Sequence, residues 1–309
     1  MHGIRLQDYL GRVLPKVHRA SLRGLVDLGE VLVNGQQARR NVRLLANDFV
    51  ELPAAADLPR RRPQAPVTPS VLGEGAAYLV LGKPAGLPTV PDRSGRMDSV
   101  HGQLEALRVG QDLRIVHRLD RDTSGCLLLA KGLEAARHFD RQWRSDRVAK
   151  EYVALVHGRV ARDEQTIDLF LGPDRRRPGK VVASEREQRG FRAASTEVQV
   201  MQRFVNFTLL RLRPATGRGH QLRVHLRAIG HPIVADSDYR GEPLFLSKIK
   251  SGYKQRFGAS EKPLLGRMFL HAEVLAFEDP DGERVTVEAP LPKDLQLALA
   301  KLSKFAAED

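Results

Sequence analysis

Five prolines fall between residues 53 and 69, at Pro53, Pro59, Pro63, Pro66 and Pro69, and Arg60, Arg61 and Arg62 lie among them. Proline fixes its own φ, lacks an N–H and pushes the residue before it into extended conformations. Such a stretch can form neither a helix nor a central strand. It reads as a linker with polyproline character over 53–74, dividing the chain into a small unit, 1–52, and a large one, 75–309. A length of 309 residues with a hydrophobic fraction of 42% is enough for two domains with packed cores.

In the small unit, Leu6, Leu10, Val13 and Leu14 recur at helical spacing, and Pro15 closes the segment. Ser21 can cap a second helix carrying Leu22, Leu25 and Val26, with Gly29 suited to its stop. Val31-Leu32-Val33 runs into Asn34-Gly35, a two-residue hairpin signal, and Phe49 to Leu52 supplies a last strand. Arg12, Lys16, Arg19, Arg23, Arg39, Arg40 and Arg43 give this unit a basic surface.

From Tyr78 onward, strand-like runs over 78–81, 126–130, 152–156 and 207–212 mix with helices near 133–145 and 221–229. The two do not alternate strictly. The expected fold is therefore α+β: a mixed, mainly antiparallel sheet with flanking helices, preceded by a small α/β domain.

Lysine and arginine outnumber aspartate and glutamate 50 to 37, a net charge of +13, which favours capture of polyanions such as nucleic acid. No basic amphipathic helix suits a membrane surface, and the apolar runs are far too short to span a bilayer. The N-terminus shows no signal-peptide core. Cys126 is the single cysteine and sits in an apolar run, as a buried hydrophobe would. The chain is expected to be soluble and cytoplasmic, with no membrane and no obligatory protein partner.

Several polar segments could carry chemistry. Lys83-Pro84-Ala85-Gly86-Leu87-Pro88 reads either as a rigid loop presenting the Lys83 charge or as a structural turn. His117-Arg118-Leu119-Asp120-Arg121-Asp122-Thr123-Ser124-Gly125 sets Asp120 between two arginines, before a turn suited to Asp122 and the buried run Cys126 to Ala130. Asp120 and Arg118 could equally be a structural ion pair. Lys150-Glu151-Tyr152-Val153 alternates as a strand does, and Tyr152 alone would pass for a core aromatic. Thr216-Gly217-Arg218-Gly219-His220-Gln221-Leu222-Arg223 places glycines before a helix carrying Arg223 and Arg227, which suits a phosphate or a solvated basic face. Leu246 to Lys262 interleaves Lys248, Lys250, Lys254, Arg256 and Lys262 with Tyr253 and Phe257, as an RNA contact or a surface insertion would. His220, His225, His231 and His271 match no zinc spacing, so no metal is expected.

Taken in this order, the segments resemble the RluA branch of pseudouridine synthases. The match rests on Lys-Pro-Ala-Gly-Leu-Pro, His-Arg-Leu-Asp-x-x-Thr-Ser-Gly, Lys-x-Tyr, Gly-Arg-x-His-Gln-Leu-Arg-x-His-Leu, Gly-His-Pro-Ile and Met268-Phe269-Leu270-His271-Ala272, over roughly 75–292. The first fifty residues resemble the small RNA-binding domain named after ribosomal small-subunit protein four. The resemblance implies an isomerase that turns uridine into pseudouridine in structured RNA after flipping the base, without a cofactor. Large-subunit ribosomal RNA is the expected partner and transfer RNA the second choice.

The resemblance also implies roles. Asp120 falls on the catalytic aspartate, Arg223 on the arginine that pairs with it, Arg118 on the one that fills the place of the flipped nucleotide, and Tyr152 on the aromatic that stacks on uracil. Lys83, His117, Arg218, His220, Gln221 and Lys254 are the further substrate-binding candidates, and Arg12, Arg19, Arg23, Asn34 and Arg39 those of the N-terminal domain. Gly219 stands where the family has a hydroxyl residue, and Ala235 where it has glycine. A non-catalytic RNA-binding or ribosome-assembly protein would share the charge but gives no reason for Asp120, Tyr152 and Arg223 together. A retaining glycosidase needs two carboxylates about 5 Å apart, for which only Asp122 stands near Asp120 in sequence.

Overall fold

The computed structural model describes residues 3–14, 22, 25–26, 30–38, 41–52, 68–90, 99–107, 111–254 and 261–307. The expectations for Lys16, Arg19, Arg23, Arg39, Arg40, Arg256 and Phe257, for the Ser21 cap and the Gly29 stop, and for residues 53–67 lie outside them. The chain forms two compact units, Met1–Val67 and Thr68–Asp309.

In the first unit the helix Leu6–Val13 buries Leu6 and Leu10 against Leu22, Leu25, Val26, Val31 and Leu44. Val13 keeps the helical spacing but is 48% exposed, so it adds nothing to that core. Strand β1 (Leu32–Val33) pairs antiparallel with both β2 (Gln36–Gln37) and β3 (Val50–Glu51). Asn34 and Gly35 turn the hairpin at φ values of 53° and 76°, the positive pair a type I′ turn demands. The Asn34 side chain donates to Asp48 and accepts from the Phe49 N–H. Asn34, one of the RNA-binding candidates of this unit, therefore holds the turn to the loop before β3.

The second unit is built on an eleven-stranded sheet. Its strands are β4 (Ser70–Glu74), β5 (Tyr78–Lys83), β6 (Leu113–Ile115), β7 (Ser124–Lys131), β8 (Ala149–His157), β9 (Glu164–Pro173), β10 (Val181–Ser184), β11 (Arg192–Phe204), β12 (Phe207–Pro214), β13 (Leu270–Glu278) and β14 (Arg284–Glu288). Their order is β10-β9-β11-β12-β8-β13-β7-β5-β4, with β14 beside β13 and β6 beside β7. Every pairing is antiparallel except that of β13 with β7, so the sheet is mixed and mainly antiparallel.

The linker was expected to run to residue 74, but Ser70–Glu74 is a strand pairing with β5 at the sheet's edge. Its weak apolar alternation and a register shift between Val71 and Gly73 hide it behind the proline run, and Pro69 just before it is compatible with an edge position. Helices Gln221–Ala228 and Lys293–Phe305 cover the larger core, around Leu155, Leu210, Leu226, Phe269 and Leu302. The helix Leu133–Arg144 covers the second, where Phe139 meets Phe277 edge-on at 5.4 Å. Among the described residues no helix is long and apolar enough to cross a membrane.

The centre of the sheet depends on one glycine. β13 inserts between β7 and β8, with Ala272 facing Gly125 on one side and Tyr152 on the other. A Cβ on Gly125 would stand 2.1 Å from the Ala272 carbonyl oxygen, and its φ of 119° disfavours any other residue. Gly125→Ala should thus lower the unfolding free energy by about 3 kcal/mol or more, or prevent folding. Urea denaturation checks this, and a loss under 1 kcal/mol would contradict the close approach.

Candidate active site

The acidic loop is laid across β7 by its own side chains. β6 pairs with β7 only as far as Ile115 opposite Leu129, and there the backbone ladder ends. The His117 ring takes over, its Nε2 accepting from the Leu128 N–H at 2.8 Å while the ring stacks on Trp143 at 4.2 Å. Burial, helped by the Lys150 charge, lowers the His117 pKa to about 3, so the ring is neutral. His117 lines the cavity, yet its accepting nitrogen is engaged with the backbone, which makes it a positioning residue first.

Next in the loop, Arg118 is exposed, Leu119 is buried beneath, and Asp120 comes back to the surface of the cleft. Leu119 is held from both sides by one hydroxyl: Thr89 Oγ1 donates to its carbonyl at 2.9 Å and accepts from its N–H at 3.1 Å. The Gly86 N–H donates to the Arg121 carbonyl at 2.8 Å, and Arg121 Nε returns a bond to the Gly86 carbonyl at 3.1 Å. Thr123 N–H closes the turn on the Asp120 carbonyl.

Lys83 completes this clamp and corrects the expectation that it presents its charge to a substrate. It is 1% exposed, and its ammonium donates to the carbonyls of Pro84, Leu87 and Arg121 at 3.0, 2.7 and 3.0 Å. Burial lowers its pKa to about 7 against the pull of Asp122 and Asp120. The Lys-Pro-Ala-Gly-Leu-Pro loop is the structural turn after all, and what it structures is the acidic loop.

Arg223 enters from the helix Gln221–Ala228. Its Nη1 donates to Asp120 Oδ2 at 2.9 Å, and its Nε and Nη2 grip Asp236 at 2.7 and 2.8 Å. Nη2 also reaches Asp238 at 3.1 Å, and the Tyr239 ring lies 4.9 Å below the guanidinium. Burial opposes the charge, but Asp236 and then Asp120 overcome it and raise the Arg223 pKa above its ordinary range. Lys180 pairs with Asp238 from the β9–β10 turn. Burial works against the Asp238 carboxylate, yet the Lys180 hydrogen bond keeps its pKa low.

Among the remaining candidates, Gln221 is corrected. Its side chain accepts from Thr216 Oγ1 and the Arg218 N–H and donates to Ser195 and Thr196, so it pins the preceding loop to β11 and leaves no group for a substrate. The helix start is closed by this side chain. Arg218 donates through Nε to the Ala193 carbonyl, with the rest of its side chain exposed. His220, at a φ of 56°, bonds Tyr239 through Nδ1 and stands 4.0 Å from Asp120 Oδ1 through Nε2. Burial lowers its pKa, against the attraction of Asp120. Lys254 is exposed and outside this cavity.

Arg118, Asp120, Tyr152, His220 and Arg223 line one cavity of about 250 Å³, which His117, Trp143 and Lys150 also line. Burial and the Asp120 charge push the Tyr152 pKa above its ordinary range, so the phenol keeps its proton. Gly219 leaves open space where a hydroxyl side chain could stand, and nothing is displaced by its absence. Ala235 has a φ of 60°, a left-handed conformation that costs a non-glycine residue about 1 kcal/mol, and it directs Asp236 at Arg223. Thr89, Lys180, Asp236, Asp238 and Tyr239 were not among the sequence candidates. The nearest sequence signal to Asp236 was the motif Gly-His-Pro-Ile just before it, with Ala235 in place of the family's glycine.

His225 is fully buried, His231 bonds the His157 carbonyl, and His271 lies between Ser124 and Ala289. No group of metal-ligating side chains is found among the described residues. The donors around Asp120 are matched as ion pairs instead.

Residues 77–228 match the family of RNA pseudouridylate synthases. A Haemophilus ducreyi protein, ribosomal large subunit pseudouridine synthase C, is 35% identical over 312 residues, covering 97% of this chain and 92% of that one. Its Yersinia pestis namesake is 34% identical over 314 residues, covering 98% and 93%. The solved structure of human RNA pseudouridylate synthase domain containing 1 shares the fold with a TM-score of 0.58 at 26% identity, over 80% of this chain and 100% of that one.

The Thr89 clamp can be tested without a substrate. Thr89→Val keeps the shape and removes both bonds to Leu119, leaving a buried N–H without a partner at a cost of about 1–3 kcal/mol. Hydrogen exchange should show the Leu119 amide losing protection while Leu128, held by His117, keeps it. Equal protection in both proteins would remove Thr89 from this role.

Proposed function

Because this chain belongs to the RNA pseudouridylate synthase family, we propose that it isomerises uridines of large-subunit ribosomal RNA, with Asp120 as the group that acts on the sugar. Pseudouridine formation breaks the bond from C1′ to N1 of uracil, turns the ring, and joins C1′ to C5. N1 gains a proton and C5 loses one, so nothing is oxidised or hydrolysed. One ionised carboxylate suffices, as nucleophile at C1′ or as base at C2′.

The observation that carries this reading is the bond between Asp120 Oδ2 and Arg223 Nη1 at 2.9 Å on the cavity wall. It orients the carboxylate and leaves Oδ1 without a hydrogen bond among the described residues, 4.0 Å from His220 Nε2, another residue of the cavity wall. A uridine stacked in RNA cannot reach that oxygen, so it is flipped out, at a cost of a few kcal/mol. The exposed Arg118 side chain takes the vacated place in the RNA, and Tyr152 stacks on the ring. Since the Tyr152 phenol keeps its proton, it serves as a surface rather than as a base.

The names of the relatives favour ribosomal RNA of the large subunit, with transfer RNA as the alternative, and such work belongs in the cytoplasm. The unit Met1–Val67 has its own buried cluster and resembles a ribosomal-type RNA-binding domain, so its part is affinity rather than chemistry.

Replacing Asp120 by Asn should abolish pseudouridine formation and leave RNA affinity within about tenfold, since phosphate contacts dominate binding. Pseudouridine mapping in cells carrying only this variant should show sites missing from large-subunit ribosomal RNA. Losses confined to transfer RNA would redirect the substrate, and unchanged maps would refute Asp120. Deleting residues 1–67 should weaken RNA binding and flatten its salt dependence, while the remaining unit keeps slow turnover on a short RNA. A folded but fully inactive truncation would count against that division of labour.

A further inference from the structure

Lys150 and Arg218 are the charged side chains of the cavity that none of these steps uses, and Arg218 is tied through Nε to the Ala193 carbonyl. Lys150 stands two residues before Tyr152 on β8, so the two share one face of the strand while Glu151 points the other way. There Glu151 meets Arg213 Nε at 2.7 Å and Arg211 Nε at 3.3 Å, which removes it as a partner for Lys150. On its own side Lys150 is half-buried and lines the cavity with Trp143 and the neutral His117 ring. Among the described residues no carboxylate lies within 4.0 Å of its ammonium, and Asp146 offsets the burial only at longer range.

An ammonium drawn out of water without a counter-ion is costly, and such groups cluster where a ligand supplies the missing acceptor. Resting on the reading of this cavity as the uridine site, we propose that Lys150 is a further catalytic residue. Its ammonium donates to a carbonyl oxygen of the flipped uracil and stabilises the negative charge that the ring takes up as it leaves C1′.

The chemistry at the ring requires such a group. When the bond from C1′ to N1 breaks, both bonding electrons leave with the base, and conjugation spreads the charge over N1, O2 and O4. C1′ is satisfied by an Asp120 oxygen, or by loss of the C2′ proton to it. When C5 then bonds to C1′, the Asp120 oxygen departs or the proton returns, C5 gives up its proton, and N1 takes one. Lys150 keeps its own protons throughout and contributes a hydrogen bond and a fixed charge. A cation already in place needs no reorganisation as the charge develops. At O4 the same donor would also favour uracil over cytosine, whose amino group there cannot accept.

The test uses the full chain and ribosomal RNA from cells lacking the gene. Lys150→Met keeps the stem and removes the charge. It should lower kcat by about 10²-fold or more while RNA affinity changes by less than about threefold. Lys150→Arg, which keeps a cation, should retain kcat within about tenfold. On RNA transcribed with 5-fluorouridine, whose ring carries negative charge more readily, the Met variant's deficit in loss of the N-glycoside should shrink at least about tenfold. A Met variant with unchanged kcat and weaker RNA binding would make Lys150 a phosphate contact and overturn the proposal. So would an equal deficit on both ring types, or an Arg variant as slow as Met. A native protein that forms no pseudouridine would instead sink the functional reading itself.

Discussion

The site is organised around a guanidinium that has no free choice of partner. Arg223 is buried, so its charge must be matched inside the protein, and three carboxylates converge on it. Asp236 takes two of its nitrogens and fixes its plane; only then does Nη1 point at Asp120. With Lys180 included, three carboxylates face two cations, which leaves one negative charge over. Asp236 is itself only 1% exposed, so removing it from Arg223 costs about 3–5 kcal/mol.

Around that cluster the division of labour between contact and support is sharp. From the loop 83–89, Lys83, Gly86 and Thr89 together hold three backbone groups of residues 119–121, the Leu119 N–H and carbonyl and the Arg121 carbonyl. His117 and Gln221 act in the same way from the other sides. Arg118, Asp120, Lys150, Tyr152, Arg218 and His220 line the cavity that these supports surround.

Much of this was legible in the sequence. Short apolar runs marked β5, β7, β8 and β12, and the segments around 133–145 and 221–229 marked two helices, because elements packed into a core are apolar where they are buried. The family motifs gathered Asp120, Tyr152 and Arg223, which do line one cavity. What was not legible depends on contacts across distance. Lys83 and Gln221 look like ligand-binding residues because they are polar within motifs, but polar side chains also serve as internal struts, and only packing tells the two apart. Asp238 and Lys180 carry no spacing signal, since their partnership joins separate turns. β4 lacks a buried face of its own and so leaves no period to find.

β13 has a consequence for how the protein comes into being. It lies near the end of the chain but in the middle of the sheet, where it is the seam between β7 and β8. A ribosome making this chain releases both halves of the sheet first, each with a raw edge where the seam belongs. Until residue 278 has emerged from the exit tunnel, the nascent protein can neither close those edges nor bring Tyr152 beside Gly125 through Ala272. Premature termination therefore yields an inert, adhesive fragment, never a weak version of the whole.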